Sequence, residues 1–274
     1  MKNEILTDRL HLASRTSDSS DMGANIGSLL FLGNESLQPQ DQPDNFTLKP
    51  RNSSKPLIQI SDSQRTVREA ISKICSKFPD KYWLHTDKPK KFPSELHSAP
   101  AEDGWLGICM LLEYGGSDLG ILEASIMMQT IAEFGASMTG ASAVHMSIFG
   151  LEPVVKFGTE EQKKRFLIPF IKGKECACFG VTEPNTGLDM LRFQSPATRD
   201  GDYYILRGSK IWISTAQFEE KILTLTRAMP LDKVTKPSQG LSLFYTNLDR
   251  SQVEVKEIPK IGRATVDTNT LFFD

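Results

Sequence analysis

With 274 residues the chain is long enough to bury a sizeable core and to form two domains. A formal net charge of -2, with 24% charged residues, excludes a strong electrostatic pull toward nucleic acid or an acidic lipid surface. No stretch reads as a membrane span, and the four cysteines, Cys75, Cys109, Cys176 and Cys178, lack the spacing of a metal site.

Residues 1–60 are rich in Ser, Asn, Gln, Asp and Pro and show no apolar period, so a disordered tail is expected. Asn34, Asn45 and Asn52 open Asn-x-Ser/Thr sequons, but no basic start followed by an apolar core precedes them, which marks them as chance matches. Transit peptides are basic and poor in acids, whereas Glu4, Asp8, Asp18 and Asp21 come early. An intracellular site is expected, and the choice between mitochondrial and cytoplasmic stays open.

The pattern turns helical from Ser61. Val67, Ala70, Ile71, Ile74 and Phe78 fall at helical spacing, and Phe78-Pro79-Asp80 ends the run. Ser94 to Ile108 holds a helix and then a turn at Gly104, and Tyr114-Gly115-Gly116 makes another turn. Leu119 to Phe134 is apolar nearly all round, which places it at the centre of a helical domain. The next helix, Ser137 to Phe149, is so rich in Gly, Ala, Ser and Thr that close packing on a neighbour follows. His145 on it reads as a hydrogen-bonded residue rather than a catalyst. Thr159 with Gln162 forms a capping box that opens a short helix through Leu167, before Pro169, and Gly173 closes the helical region at 61–173.

Beyond Lys174 the period becomes two. Strands are expected at 175–183, 203–207, 210–215, 221–227, 241–246, 252–257 and 268–273, with turns at Asp200-Gly201 and Pro237-Ser238-Gln239-Gly240. Short antiparallel strands at that spacing suggest a barrel or sandwich at 174–274, and an α+β chain as a whole. Cys176 and Cys178 share a strand face and read as buried thiols. Val181 to Asp189 runs from strand into loop, where Pro184 removes a donor and Asn185 and Gly187 tolerate left-handed turn conformations. In Ile211-Trp212-Ile213-Ser214, strict alternation puts both isoleucines on one face and Trp212 with Ser214 on the other. Such a pair of segments can set a hydroxyl, an indole and loop amides around one flat ligand.

Thr182-Glu183-Pro184-Asn185-Thr186-Gly187-Leu188-Asp189 and Gly208-Ser209-Lys210-Ile211-Trp212-Ile213-Ser214 together resemble the acyl-CoA dehydrogenase family, whose usual forms are TEP-x-x-GSD and G-x-K-x-WI-(T/S). Upstream, Gly104-Trp105-Leu106-Gly107-Ile108, Glu113-Tyr114-Gly115-Gly116 and Lys156 to Lys163 are similar to that family's landmarks in the same order, so the resemblance covers roughly residues 63–274. It implies an all-helical N-terminal domain, a middle antiparallel β-barrel domain with FAD held against it, and oxidation of acyl-CoA to trans-2-enoyl-CoA with electrons passed to an electron-transfer flavoprotein or similar carrier. It also implies that Phe179, Val181 and Thr182 line the flavin, that Trp212 packs on its ring, and that Ile213 and Ser214 lie beside it near N5. Gly187 and Leu188 match the loop that contacts cofactor or acyl-CoA. The family has serine where Leu188 stands, and leucine donates no hydrogen bond. The family's base lies in a third, helical domain, and Leu271-Phe272-Phe273-Asp274 stands about one strand short of it, so no catalytic residue is named in 1–274. Family members form dimers and tetramers chiefly through that third domain. The alternative is a non-catalytic, truncated paralogue that acts as a binding or interaction protein.

Overall fold

A computed structural model of the chain describes Asp8–Arg9 and residues 60–274; the rest of the expected disordered tail at 1–60 lies outside the described residues. Among the described residues, no helix is long and apolar enough to cross a membrane and no metal-binding cluster of His, Cys, Asp and Glu occurs.

The helical half begins with α1, Asp62–Cys75, which buries Val67, Ile71 and Ile74 of the expected stripe together with Cys75, while Ala70 is half-buried and Phe78 lies past the helix end and is half-buried. No clean apolar stripe marks α2, Asp80–Asp87, where Leu84 is exposed and Thr86 is buried, and the structure adds this helix to the expected set. Helix α3, Ser94–Glu102, is followed by Gly104 at φ 77°, which makes the expected turn. Helix α4, Ile121–Ile131, corrects an expectation: Ala124, Met127, Thr130 and Ile131 are buried, but Ile121 and Leu122 are 71% and 64% exposed, so one flank faces outward. Glu123 reaches back to the Gly120 N–H at its start. After a π-helical segment, Ala132–Ala136, comes α5, Ser137–Phe149, with Gly140 to Val144 and Met146 to Ile148 buried. The expected close packing on neighbours is present, because a Cβ on Gly140 would lie 3.0 Å from the Ile131 side chain of α4 and 3.3 Å from the Trp83 ring of α2.

Helix α6 is Glu152–Phe157, and α7, Glu160–Ile171, opens on the Thr159–Gln162 capping box. This helix runs past Pro169 instead of stopping at Leu167. It ends in a Schellman arrangement, with Lys174 N–H donating to Pro169 O, Gly173 N–H to Phe170 O, and Gly173 at φ 62°.

Strands β1, Asp8–Arg9, β7, Leu241–Asn247, β6, Lys221–Arg227, and β2, Ala177–Gly180, form one sheet in that order. The β2/β6 pair is parallel. Strands β3, Ala197–Asp200, and β4, Tyr203–Leu206, form a hairpin. Strands β5, Gly208–Ser214, β9, Thr268–Phe273, and β8, Val253–Glu257, form the third sheet. Among the described residues the expected closed antiparallel barrel is therefore not found: three separate sheets of four, two and three strands take its place, one of them mixed. The reason lies in the burial of the first sheet on both faces. Leu223, Leu225, Leu243 and Tyr245 pack with Phe166 and Phe170 of α7, while Ile222 and Phe244 pack with Ile213, Leu271 and Phe273 of the third sheet. A sheet covered on both sides reads as a continuous apolar run and accepts a parallel neighbour.

Candidate functional site

At Val181 the chain leaves β2 and enters the loop that the sequence singled out. Thr186 N–H donates to Glu183 O at 3.1 Å, closing a turn around Pro184 and Asn185. Neither Asn185 nor Gly187 is among the residues at positive φ, so the turn forms without the left-handed conformations expected of them. The positive φ values fall on the opposite segment, at Trp212 (64°) and Thr215 (62°).

That segment departs from strict alternation. Lys210 pairs with Leu271 and Ile213 with Asn269, so Ile211 and Trp212 share the single residue Thr270 as their counterpart, a β-bulge. As a result Lys210 and Ile213 both point inward, and the expected common face for Ile211 and Ile213 is lost. Trp212 is turned out and is 61% exposed. Ile211 N–H donates to Thr182 O at 2.9 Å, which ties the bulge to the loop.

Beneath this junction lies a feature that sequence reasoning missed. Lys210 is fully buried, and its ammonium donates to Glu183 Oε1 at 2.9 Å, Val181 O at 3.1 Å and Leu225 O at 2.6 Å while lying 4.5 Å from the centroid of the Phe193 ring. The Glu183 carboxylate also accepts the Gln194 N–H at 2.8 Å and the Ser195 N–H at 3.0 Å. Burial alone would raise the Glu183 carboxyl, but those amides and the ammonium bring it below its ordinary value. Burial lowers the Lys210 ammonium, opposed by Glu183. Arg227, also buried, donates to the carbonyls of Leu191, Phe193, Pro237 and Gln239 and so holds the far end of the loop. A lysine inside an otherwise apolar strand, with a glutamate in the partner motif, was the sequence signal for this pair.

The remaining expected residues divide by exposure. Val181, Thr182 and Ser214 are half-buried, Gly187 is exposed, and Leu188 is 83% exposed. An added Cβ at Gly187 would meet nothing within 4 Å, so space above the loop is open. Phe179 stands edge-on to Phe149 of α5 at 6.1 Å, and His145 hydrogen-bonds the Ser142 carbonyl, as expected of a structural histidine. The Ile213 side chain is buried among Cys178, Ile222 and Leu271, which leaves only its main chain for a ligand. Cys178 is buried as expected, and burial pushes its thiol well up; Cys176 is half-buried and lies just outside β2.

Trp212 is exposed, and Thr182 and Ser214, on the two segments joined by the Ile211–Thr182 hydrogen bond, are half-buried. A recess of about 180 Å³ lies against Glu183, Asn185, Ser195 and Ser209, and another of about 220 Å³ lies against Lys90, Phe92, Phe218 and Asp267; neither includes Thr182 or Trp212. An outward indole beside two hydroxyl residues, on segments locked by a buried ion pair, suits a flat aromatic ligand with a polar edge. That donor set fits an isoalloxazine ring.

Residues 61–174 match the family model described as acyl-CoA dehydrogenase, N-terminal domain, and residues 178–274 match that described as acyl-CoA dehydrogenase, middle domain. The chain is 34% identical over 220 residues to a mitochondrial isobutyryl-CoA dehydrogenase of Dictyostelium discoideum, covering 80% of this chain and 51% of the relative. It is 27% identical over 219 residues to a mitochondrial short-chain specific acyl-CoA dehydrogenase of Bos taurus, covering 79% and 52%. The crystal structure of an acyl-CoA dehydrogenase from Geobacillus kaustophilus superimposes with a TM-score of 0.69 at 25% identity, covering 78% of this chain and 56% of that one. The chain thus spans about half the length of the curated relatives named here.

Proposed function

We propose a function from the premise that this chain belongs to the acyl-CoA dehydrogenase family. The proposed role of residues 174–274 is to present a face for FAD, with the helical region 61–173 supporting it. Trp212 would pack on the ring, Thr182 and Ser214 would offer hydroxyls at its polar edge, and Phe179, Val181 and Gly187 would border it. Ile213 would contribute main-chain groups alone. When bound, FAD supplies the hydride acceptor for α,β-oxidation of an acyl-CoA thioester to trans-2-enoyl-CoA, the reaction proposed for the whole protein, with an electron-transfer flavoprotein or similar carrier as acceptor. Catalysis of that kind requires the acid-base group and the hydride acceptor to flank the substrate together. The proton-abstracting group is not assigned to any residue of 62–274.

The observation that carries this reading is the junction itself: the Ile211–Thr182 hydrogen bond at 2.9 Å and the buried Glu183–Lys210 pair at 2.9 Å fix an outward Trp212 beside Thr182. One observation favours a second reading, a non-catalytic binding protein. Leu188 stands exposed where the family has serine, and a polar group of the cofactor would lose its partner there. Titration of FAD against the purified chain, followed by quenching of flavin emission, decides between them. Saturable quenching supports the flavin reading, and its absence at high protein concentration leaves the binding-protein reading.

A further inference from the structure

The Val181 carbonyl and the Thr182 amide belong to one peptide unit. No cis peptide occurs among the described residues, so this unit is trans and its N–H points opposite to its C=O. The C=O is directed inward, onto the ammonium of Lys210, whose side chain is 1% exposed. The N–H is therefore directed outward, to the side on which Thr182 is half-exposed and Trp212 stands open. A cation on the carbonyl oxygen draws electron density from the peptide and strengthens its N–H as a donor, an effect that low local dielectric enlarges. Arg227 adds a second buried cation. The carboxylate acting on it electrostatically is Glu183, already bonded to Lys210, so two positive groups share one negative group under the loop.

Resting on the flavin reading above, we propose that Lys210 is a positioning residue for the flavin ring: it aims and polarises the Val181–Thr182 peptide so that the Thr182 N–H stabilises negative charge on the reduced ring. Hydrogen bonds and charge at the ring's polar edge are the levers by which a protein sets flavin electronics. The role differs from that of a plain clamp, because it depends on the sign of the buried charge as well as on the contact.

The test is the midpoint potential of FAD bound to the full chain, measured by spectroelectrochemical titration, together with thermal melting of each variant. Glu183→Gln leaves the ammonium uncompensated and should favour the reduced flavin about tenfold, a rise of about 30 mV for a two-electron couple. Glu183→Gln combined with Lys210→Met removes both charges and should lower the potential by a similar amount, while Lys210→Arg should stay near the parent value. A residue that only clamps the loop would shift both charge-altering variants in the same direction. Shifts of the same sign, or no shift, overturn the proposal. Where the double variant does not melt cooperatively, Glu183→Gln decides alone, and an unchanged or lowered potential overturns it. If the unsubstituted chain binds no FAD, the flavin reading falls and takes this inference with it; binding with an unmoved potential sinks the inference alone.

Discussion

Trp212 combines a left-handed φ of 64° with an exposed indole, although it sits within a strand. For a bulky residue that conformation costs on the order of 1–3 kcal/mol and persists only where the surroundings over-determine it. Lys210 and Ile213, both buried on either side of it, do so here. Trp212→Ala should weaken FAD binding by about 2- to 10-fold, from loss of about 0.5–1.5 kcal/mol of ring packing, as read by flavin fluorescence. Leu188→Ser should tighten FAD binding, by up to about tenfold, through a restored polar partner. Since Leu188 is almost wholly exposed, its melting temperature should not move, which separates a binding effect from a stability effect.

Glu219 poses a different problem at the same scale. It is 4% exposed, its Oε2 has no partner among the described residues, and burial, with Asp267 and Glu220 adding repulsion, raises its carboxyl to about 8 against the bonds from Thr215 and Cys176. Because the folded-state value lies above the ordinary 4.5, folding favours the protonated form. The stability it contributes is full below pH 4.5 and is lost as pH rises through about 8. Glu219→Gln should therefore flatten the decline in stability over that window. Denaturant melts at pH 9 should find the variant more stable than the parent by roughly 1–3 kcal/mol more than at pH 5. An equal difference at both pH values would contradict the assignment.

At the scale of elements, the packing stripes and caps carry the fold where they are local. The Thr159–Gln162 box is made by the expected hydrogen bonds at 3.0 and 3.2 Å, and Thr159→Ala should cost about 1 kcal/mol in chemical denaturation. Loss of one member of the buried pair is far more severe. Lys210→Met strands the Glu183 carboxylate, and about 3–5 kcal/mol of destabilisation is expected, much of it recovered when Glu183→Gln is added. A double-mutant cycle of melts checks this, and additive losses would rule it out.

The same contrast explains what was legible in the sequence. Helices α1, α3, α5 and α7 and strands β4 to β9 announce themselves through period and punctuation. Helix α2 and strand β3 do not, since α2 leaves Leu84 exposed and β3 buries only Ala197 of its four residues. The motif segments are legible in the sequence, but the bulge at Ile211–Trp212 is not, because a register shift depends on the partner strand β9, far along the chain. The Glu183–Lys210 pair, 27 residues apart, is likewise a product of tertiary packing.

Considered whole, the part around the candidate face is layered: helices α6 and α7, then the mixed β1–β7–β6–β2 sheet, then the β5–β9–β8 sheet. The period of two marks β2 and β4 to β9 but neither β3 nor the closure, since alternation fixes which face is buried and leaves open what covers it. The candidate face lies where β2 ends and β5 bulges, at the edge between the two sheets, so it is positioned by both layers. Amide hydrogen exchange of the chain with and without FAD tests that placement most directly. Added protection is expected to concentrate in residues 179–188 and 211–215, with α1 unchanged. Saturable FAD binding that protects other segments and leaves those two untouched would contradict it.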